Sequence, residues 1–138
     1  MNIQSTPIIS VIVAVFNGIR TLQKCIDSVD MQTYPNRELI IIDGGSNDGT
    51  VELIVKNTNK IKYWISESDQ GICSAWNKGL SQAKGNWICF LGADDYFWDS
   101  NVLEQVAKRL GDVPPGINIA YGPVMIANEN DECLYQKG

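Results

Sequence analysis

Asp94 and Asp95 stand side by side after Trp87-Ile88-Cys89-Phe90-Leu91, an apolar run that reads as a buried strand. Two carboxylates at the lip of a core repel each other and lose solvation unless a cation sits between them and a ligand. A divalent ion such as Mg2+ or Mn2+ suits the place, because hard cations take carboxylate oxygens. Other apolar runs end in similar groups: Asn17-Gly18, the stretch Asp43-Gly44-Gly45-Ser46-Asn47-Asp48-Gly49-Thr50, and Asp69-Gln70-Gly71. Taken singly, each has a plainer reading as a turn or a helix cap. The long stretch lacks the GxGxxG spacing of a dinucleotide loop, and Gly45 stands where an EF-hand needs a ligand. Their recurrence at successive strand ends is what points to a binding rim.

The elements that must position these groups alternate. Residues 8–15 read as a strand, followed by a helical pattern at Leu22, Ile26 and Val29 that ends near Pro35. Residues 38–42 form a second strand, Val51, Leu53 and Ile54 mark a helix, and residues 62–65 form a short third strand. Residues 72–83 read as a helix, 87–91 as the fourth strand, 102–110 as a helix and 117–126 as a last extended segment. Such alternation predicts an α/β fold, a mostly parallel sheet flanked by helices and joined by right-handed crossovers. Ligands bind such sheets outside the carboxyl ends of the strands, where the polar groups fall.

Composition bounds the rest. The 138 residues make a single domain, long enough to bury roughly two thirds of the surface its unfolded chain exposes. Eleven basic against sixteen acidic residues give a net charge of −5, which disfavours nucleic acid and anionic lipid as partners. A small anionic ligand then needs a metal or backbone amides. The chain has no histidine and no CxxC pair among Cys25, Cys73, Cys89 and Cys133. That argues against a zinc site and removes the Ser/His and Cys/His catalytic arrangements. Three of the cysteines sit among apolar neighbours, which predicts free buried thiols in a reducing compartment, the cytoplasm. Residues 8–16 are too short an apolar run to span a bilayer.

In order along the chain, SVIVAVFNG, QTYPNRELIIIDGGSNDGT and ISESDQGICSAWNKGLSQAKGNWICFLGADD resemble the nucleotide-binding half of family 2 glycosyltransferases, inverting enzymes of the Rossmann-like GT-A fold. The resemblance runs over about residues 6–121, with a donor-binding core expected to reach residue 126. It implies that the backbone of Ala14 and Val15, with Phe16 and Asn17, lines a base pocket, that Asp43 lies by the uracil or ribose, and that Gly45 and Ser46 also bind the donor nucleotide. Asp69 and Gly71 would border the nucleoside, with Trp76 and Asn77 on the helix behind. Asp94-Asp95 resembles the family's DxD-type motif, with Asp94 nearer the ribose or sugar and Asp95 on Mn2+ or Mg2+. Many members carry a second aspartate where this chain has Gly44, and in some of them it reads the base.

The implied partners are a nucleotide-sugar donor, UDP-sugar foremost, and a glycan or lipid-linked acceptor at the cytoplasmic face of a membrane, in polysaccharide or glycan biosynthesis. The implied catalytic base is an Asp or Glu on a C-terminal acceptor half that the chain is expected to lack. Glu129, Asp131 and Glu132 read instead as part of a solvated turn. A donor half without its acceptor half is expected to expose apolar surface and self-associate. Two other functions fit the same residues: a non-catalytic nucleotide or sugar-nucleotide binding module, and a nucleotidyltransferase-like enzyme with metal at Asp94 and Asp95. The last would want a basic or Gly-rich triphosphate loop, which Phe16-Asn17-Gly18-Ile19-Arg20 does not supply.

Overall fold

A computed structural model describes residues 6–137. Four parallel strands form the main sheet in the order β3-β2-β1-β4: β1 Ile9–Val15, β2 Arg37–Asp43, β3 Tyr63–Ser66 and β4 Trp87–Gly92. Four helices alternate with and follow them: α1 Leu22–Asp30, α2 Thr50–Lys56, α3 Ile72–Gln82 and α4 Val102–Gly111. β1 is central and apolar on both faces, as a strand covered on both sides must be.

Ile9, Val11, Val13, Val15, Leu39 and Ile41 turn one face towards Leu22, Cys25 and Ile26 of α1, Ile54 of α2 and Leu103 and Ala107 of α4. Ile12, Ile40 and Ile42 turn the other towards Ala75 and Trp76 of α3. Each fully buried isoleucine here is worth about 1.5–3 kcal/mol. α3 approaches closely because Gly79 has no side chain: a Cβ there would lie 2.4 Å from Ile12 Cγ2. Chain order reverses between β1 and β4, and that switch point is where parallel α/β sheets bind ligands.

Element boundaries follow the sequence closely, with one correction. The last extended segment, residues 117–126, is strand only in part: β5 Val124–Ala127 pairs antiparallel with β6 Cys133–Lys137 in a separate hairpin. β6 was not foreseen. The apolar pattern of residues 117–123 finds no strand partner among the described residues, and Tyr121 is 95% exposed. Apolar residues make a strand only where a partner takes their hydrogen bonds. β4 is likewise an edge, with Phe90 43% exposed and no strand beyond it among the described residues.

The cysteines also need correcting. All four are free, but Cys73 and Cys133 are exposed, Cys89 is half-buried and only Cys25 is fully buried. Burial, together with the nearby charges of Asp95 and Asp94, pushes the Cys25 thiol up to about 12. Thiolate is the reactive form, so at pH 8 Cys25 stays protonated and inert. A thiol titration should therefore find Cys73 and Cys133 fast in the native chain, with Cys25 reacting only after denaturation. Equal rates at Cys25 and Cys133 would contradict this packing.

Candidate functional site

The loops after β1 and β2 are laced together. Asn17 adopts a left-handed backbone with φ 51°, and its N–H donates to Ser46 Oγ at 2.7 Å. Its Oδ1 accepts from the Asn47 N–H at 3.0 Å. Asp48 accepts from the Ile19 N–H and from both the N–H and hydroxyl of Thr50, at the start of α2. Those bonds, the Thr50 hydroxyl first, hold its carboxyl below the usual range. Asp43 ends β2 fully buried, and its oxygens accept from the Gly45 N–H, the Ser46 N–H and hydroxyl, and the Ser66 hydroxyl. It binds the loop into shape and joins it to β3.

These loops and the β3–α3 loop enclose a cavity of about 430 Å³ lined by Ala14, Val15, Phe16, Gly44, Ser68, Asp69, Gly71, Ile72 and Ala75. Phe16, 66% exposed, offers a bare aromatic face there. Asp69 is half-buried, and its Oδ1 accepts the Gly71 N–H at 3.0 Å in a turn that leads into α3. The structure thus gathers Ala14, Val15, Phe16, Asp69 and Gly71 at one cavity, while Asn17, Asp43, Gly45 and Ser46 shape its rim from behind. Asn77 is exposed on α3 and is not part of the lining. Ser68, Ile72 and Ala75 were missed, and Gly44 was weighed only for the side chain it lacks.

Asp94 and Asp95 sit on a tight turn closed by the Asp95 N–H to Gly92 O bond of 3.0 Å. Gly92 pairs in register with Ala14, which places this turn beside the cavity. The two carboxylates curl back over Gly92: a Cβ on it would lie 2.7 Å from Asp95 Oδ2 and 2.9 Å from Asp94 Oδ1. Any residue with a side chain would fill the space where the two acids converge. From below, the Cys25 thiol meets Gly92 O at 3.6 Å.

The segment after the turn is stitched to α1 and to Gln32 just beyond it. The Phe97 N–H donates to Ser28 Oγ, Gln32 Nε2 donates to Asp99 O, and Gln32 Oε1 accepts from the Leu103 N–H. Asp131, on the β5–β6 turn, accepts from the hydroxyl of Tyr96 and pairs with Lys24, whose ammonium lies 3.9 Å from the Tyr96 ring centroid. The hydrogen bonds from Lys24 and then Tyr96 hold the Asp131 carboxyl below its usual range. The expected solvated turn is present at this end of the chain, but it is anchored next to the acidic pair.

Among the described residues no group of three or more carboxylate or thiol side chains is placed to hold a metal. Two carboxylates over a glycine nevertheless fit a cation whose other positions go to phosphate oxygens and water, as Mg2+ and Mn2+ prefer. A second cavity, about 350 Å³, opens at the amino-terminal ends of β2 and β3. Its Arg37 donates to the carbonyls of Val29, Tyr34 and Asp30, and its Lys60 pairs with Asp27 and Asp30. Those cations are committed to the fold.

The family model for glycosyl transferase family 2 matches residues 10–131. The chain belongs to that family. It is 33% identical over 129 residues to a PGL/p-HBAD biosynthesis glycosyltransferase of Mycobacterium bovis, covering 91% of this chain and 50% of that protein. It is 32% identical over 130 residues to the glycosyltransferase GlyA of Streptococcus pneumoniae, covering 92% of this chain and 18% of that protein. This family 2 domain therefore spans half or less of the length of these relatives. Among solved structures, S. aureus TarS superimposes with a TM-score of 0.67 at 27% identity, over 73% of this chain and 19% of that one. The mannosyltransferase PcManGT of Pyrobaculum calidifontis, solved with GDP-Man and Mn2+, shares the fold at a TM-score of 0.69 and 21% identity, over 92% of this chain and 37% of that one. The GT-A fold expected from the sequence is thereby shown. No helix among the described residues is long and apolar enough to cross a membrane.

Proposed function

We propose that this domain binds the nucleotide-diphosphate end of a sugar donor, with Mn2+ or Mg2+ at Asp94 and Asp95. In a longer protein it would pass the sugar, with inversion, to a hydroxyl of a glycan or lipid-linked acceptor in polysaccharide or glycan biosynthesis. The observation that carries this reading is the adjacency of the Phe16–Asp69 cavity to the acidic turn over Gly92 across the β1–β4 switch point. A nucleoside fits the first and a metal-bound diphosphate the second. Support for a nucleotide-sugar donor comes from family membership and from the solved TarS complexes with UDP-GlcNAc and UDP, which share the fold.

In this reading Phe16 covers the base, Asp69 and Gly71 border the nucleoside, and Asp43, Ser46 and Asn17 hold the loops in place. Asp95, with Asp94, holds the cation, whose contribution when bound is to neutralise charge on the leaving diphosphate. Tyr96 and the stitches to Ser28 and Gln32 keep the acidic turn aimed at the cavity. The family resemblance implies that the base that takes the acceptor's proton lies on an acceptor half, and Asp131 is committed to Lys24 and Tyr96. A UDP-sugar is the first candidate donor. Calorimetric titration with UDP, GDP, CDP and ADP, each with and without Mn2+, should show one nucleotide bound at least about tenfold tighter with the metal. Binding of none would sink the donor-site reading, and binding indifferent to Mn2+ would remove the metal from it.

A further inference from the structure

Gly44 and Asp69 together form a feature that the general reading leaves unused. A Cβ on Gly44 would lie 3.4 Å from Asp69 Oδ2, 3.5 Å from Asp69 Oδ1 and 3.5 Å from Phe16 Cδ2. Gly44 leaves bare backbone in the cavity wall, and the Asp69 carboxylate and the Phe16 ring both lie at van der Waals distance from the point its Cβ would occupy. Asp69 Oδ1 is occupied by the Gly71 N–H, while Oδ2 has no hydrogen-bond or ion-pair partner among the described residues. A flat ring in this cavity against Phe16 would bring its edge to that oxygen.

We propose that Asp69 is a specificity-determining residue that selects a base whose ring nitrogen carries a proton, uracil or guanine, over cytosine and adenine. This rests on the donor-site reading above. An ionised carboxylate offers only acceptors. It pairs with the N3–H of uracil or the N1–H of guanine. The bare N3 of cytosine and N1 of adenine would set a lone pair against it. An acceptor aimed at the ring nitrogen disfavours a base with a lone pair there, because the half-buried Asp69 oxygen is then left unpaired while the amino groups of cytosine and adenine lie beside that position, not on it. Asparagine at this position would keep an acceptor for the Gly71 N–H and add an N–H that cytosine N3 accepts.

The test is nucleotide titration with Mn2+ on the unaltered chain, Asp69→Asn and Gly44→Ala. The unaltered chain should bind UDP or GDP at least about tenfold tighter than CDP and ADP, and Asp69→Asn should cut the UDP-over-CDP ratio by about tenfold. Gly44→Ala, whose backbone has no positive φ and whose methyl meets only side chains, should keep the melting temperature. It should weaken every base that binds without reordering them. Should Asp69→Asn fail to fold, the ranking on the unaltered chain decides, and CDP or ADP bound as tightly as UDP and GDP overturns the proposal. Nucleotide binding with a UDP-over-CDP ratio indifferent to Asp69→Asn overturns it too and leaves the donor site standing. No binding of any nucleotide to the unaltered chain overturns both.

Discussion

Asp95→Asn is expected to abolish metal-dependent nucleotide binding while the chain stays folded. Asp95 is exposed, and its only hydrogen bond within the described chain is from its backbone N–H to Gly92 O, which the substitution keeps. Its Oδ2 lies 2.7 Å from the point a Cβ on Gly92 would occupy, converging there with Asp94 Oδ1. An amide oxygen carries no net charge, so the cation would lose half of the formal charge the pair supplies. Changes to residues that merely orient metal ligands cost roughly 10–100-fold in metal affinity, and loss of a ligand itself should reach at least about 100-fold. Calorimetry with and without Mn2+ reads this directly. An Asp95→Asn variant that keeps the wild-type gain from Mn2+ would remove Asp95 from the site. The chain's net charge of −5 is part of the argument, since an anionic diphosphate approaching an acidic domain depends on a local cation.

Asp43→Ala should do the reverse and unfold the site from within. The Asp43 carboxylate is 0% exposed and accepts from the N–H groups of Gly45 and Ser46 at 3.0 and 2.9 Å and from the hydroxyls of Ser66 and Ser46 at 2.6 and 2.5 Å. Alanine leaves these donors facing a void. Each buried donor without a partner costs about 1–3 kcal/mol, but the loop reaches solvent at Gly45 and Asn47, so part is recovered as water replaces the carboxylate. A net loss of about 3 kcal/mol follows, near 10 °C in melting temperature for a domain of this size. Nucleotide binding should fall with it, because Ser46 loses its anchor and in turn holds the Asn17 N–H. Thermal melting separates the two acids: a large drop for Asp43→Ala and none for Asp95→Asn. An Asp43→Ala chain that melts at the wild-type temperature would show that the β2–α2 loop is held by other contacts.

The contrast marks where sequence reading stops. Both residues are aspartates at strand ends, and turn chemistry at those ends made the rim legible: Asn17, Ser46, Asp48, Asp69 and Gly71 all fall in loops between an apolar run and a helix. Nothing in their types distinguishes an acid consumed by its own loop from one left facing a cavity. Gly92 carried a signal that could have been used, since a glycine just before paired acids has no side chain to occupy the space between them. The Lys24–Tyr96–Asp131 anchor carried none, because its members are 107 and 35 residues apart.

The sequence by itself determined the alternation of strands and helices, the parallel pairing and the end of the sheet at which polar groups gather. Those follow from hydrophobic period and turn composition, which are local properties of the chain. The short strands 37–43 and 63–66 were legible for the same reason. Only the tertiary structure decided that residues 117–123 stay out of any strand and that β6 exists. A strand needs a neighbour to take its backbone hydrogen bonds, and the neighbour is set by what else has packed. It alone decided that Phe16, Gly44 and Asp69, brought from three different strand ends, share one cavity while Asp43 turns away from it. Side-chain direction at a strand end depends on register and on how neighbouring loops cross, and neither is written in the identity of the residue.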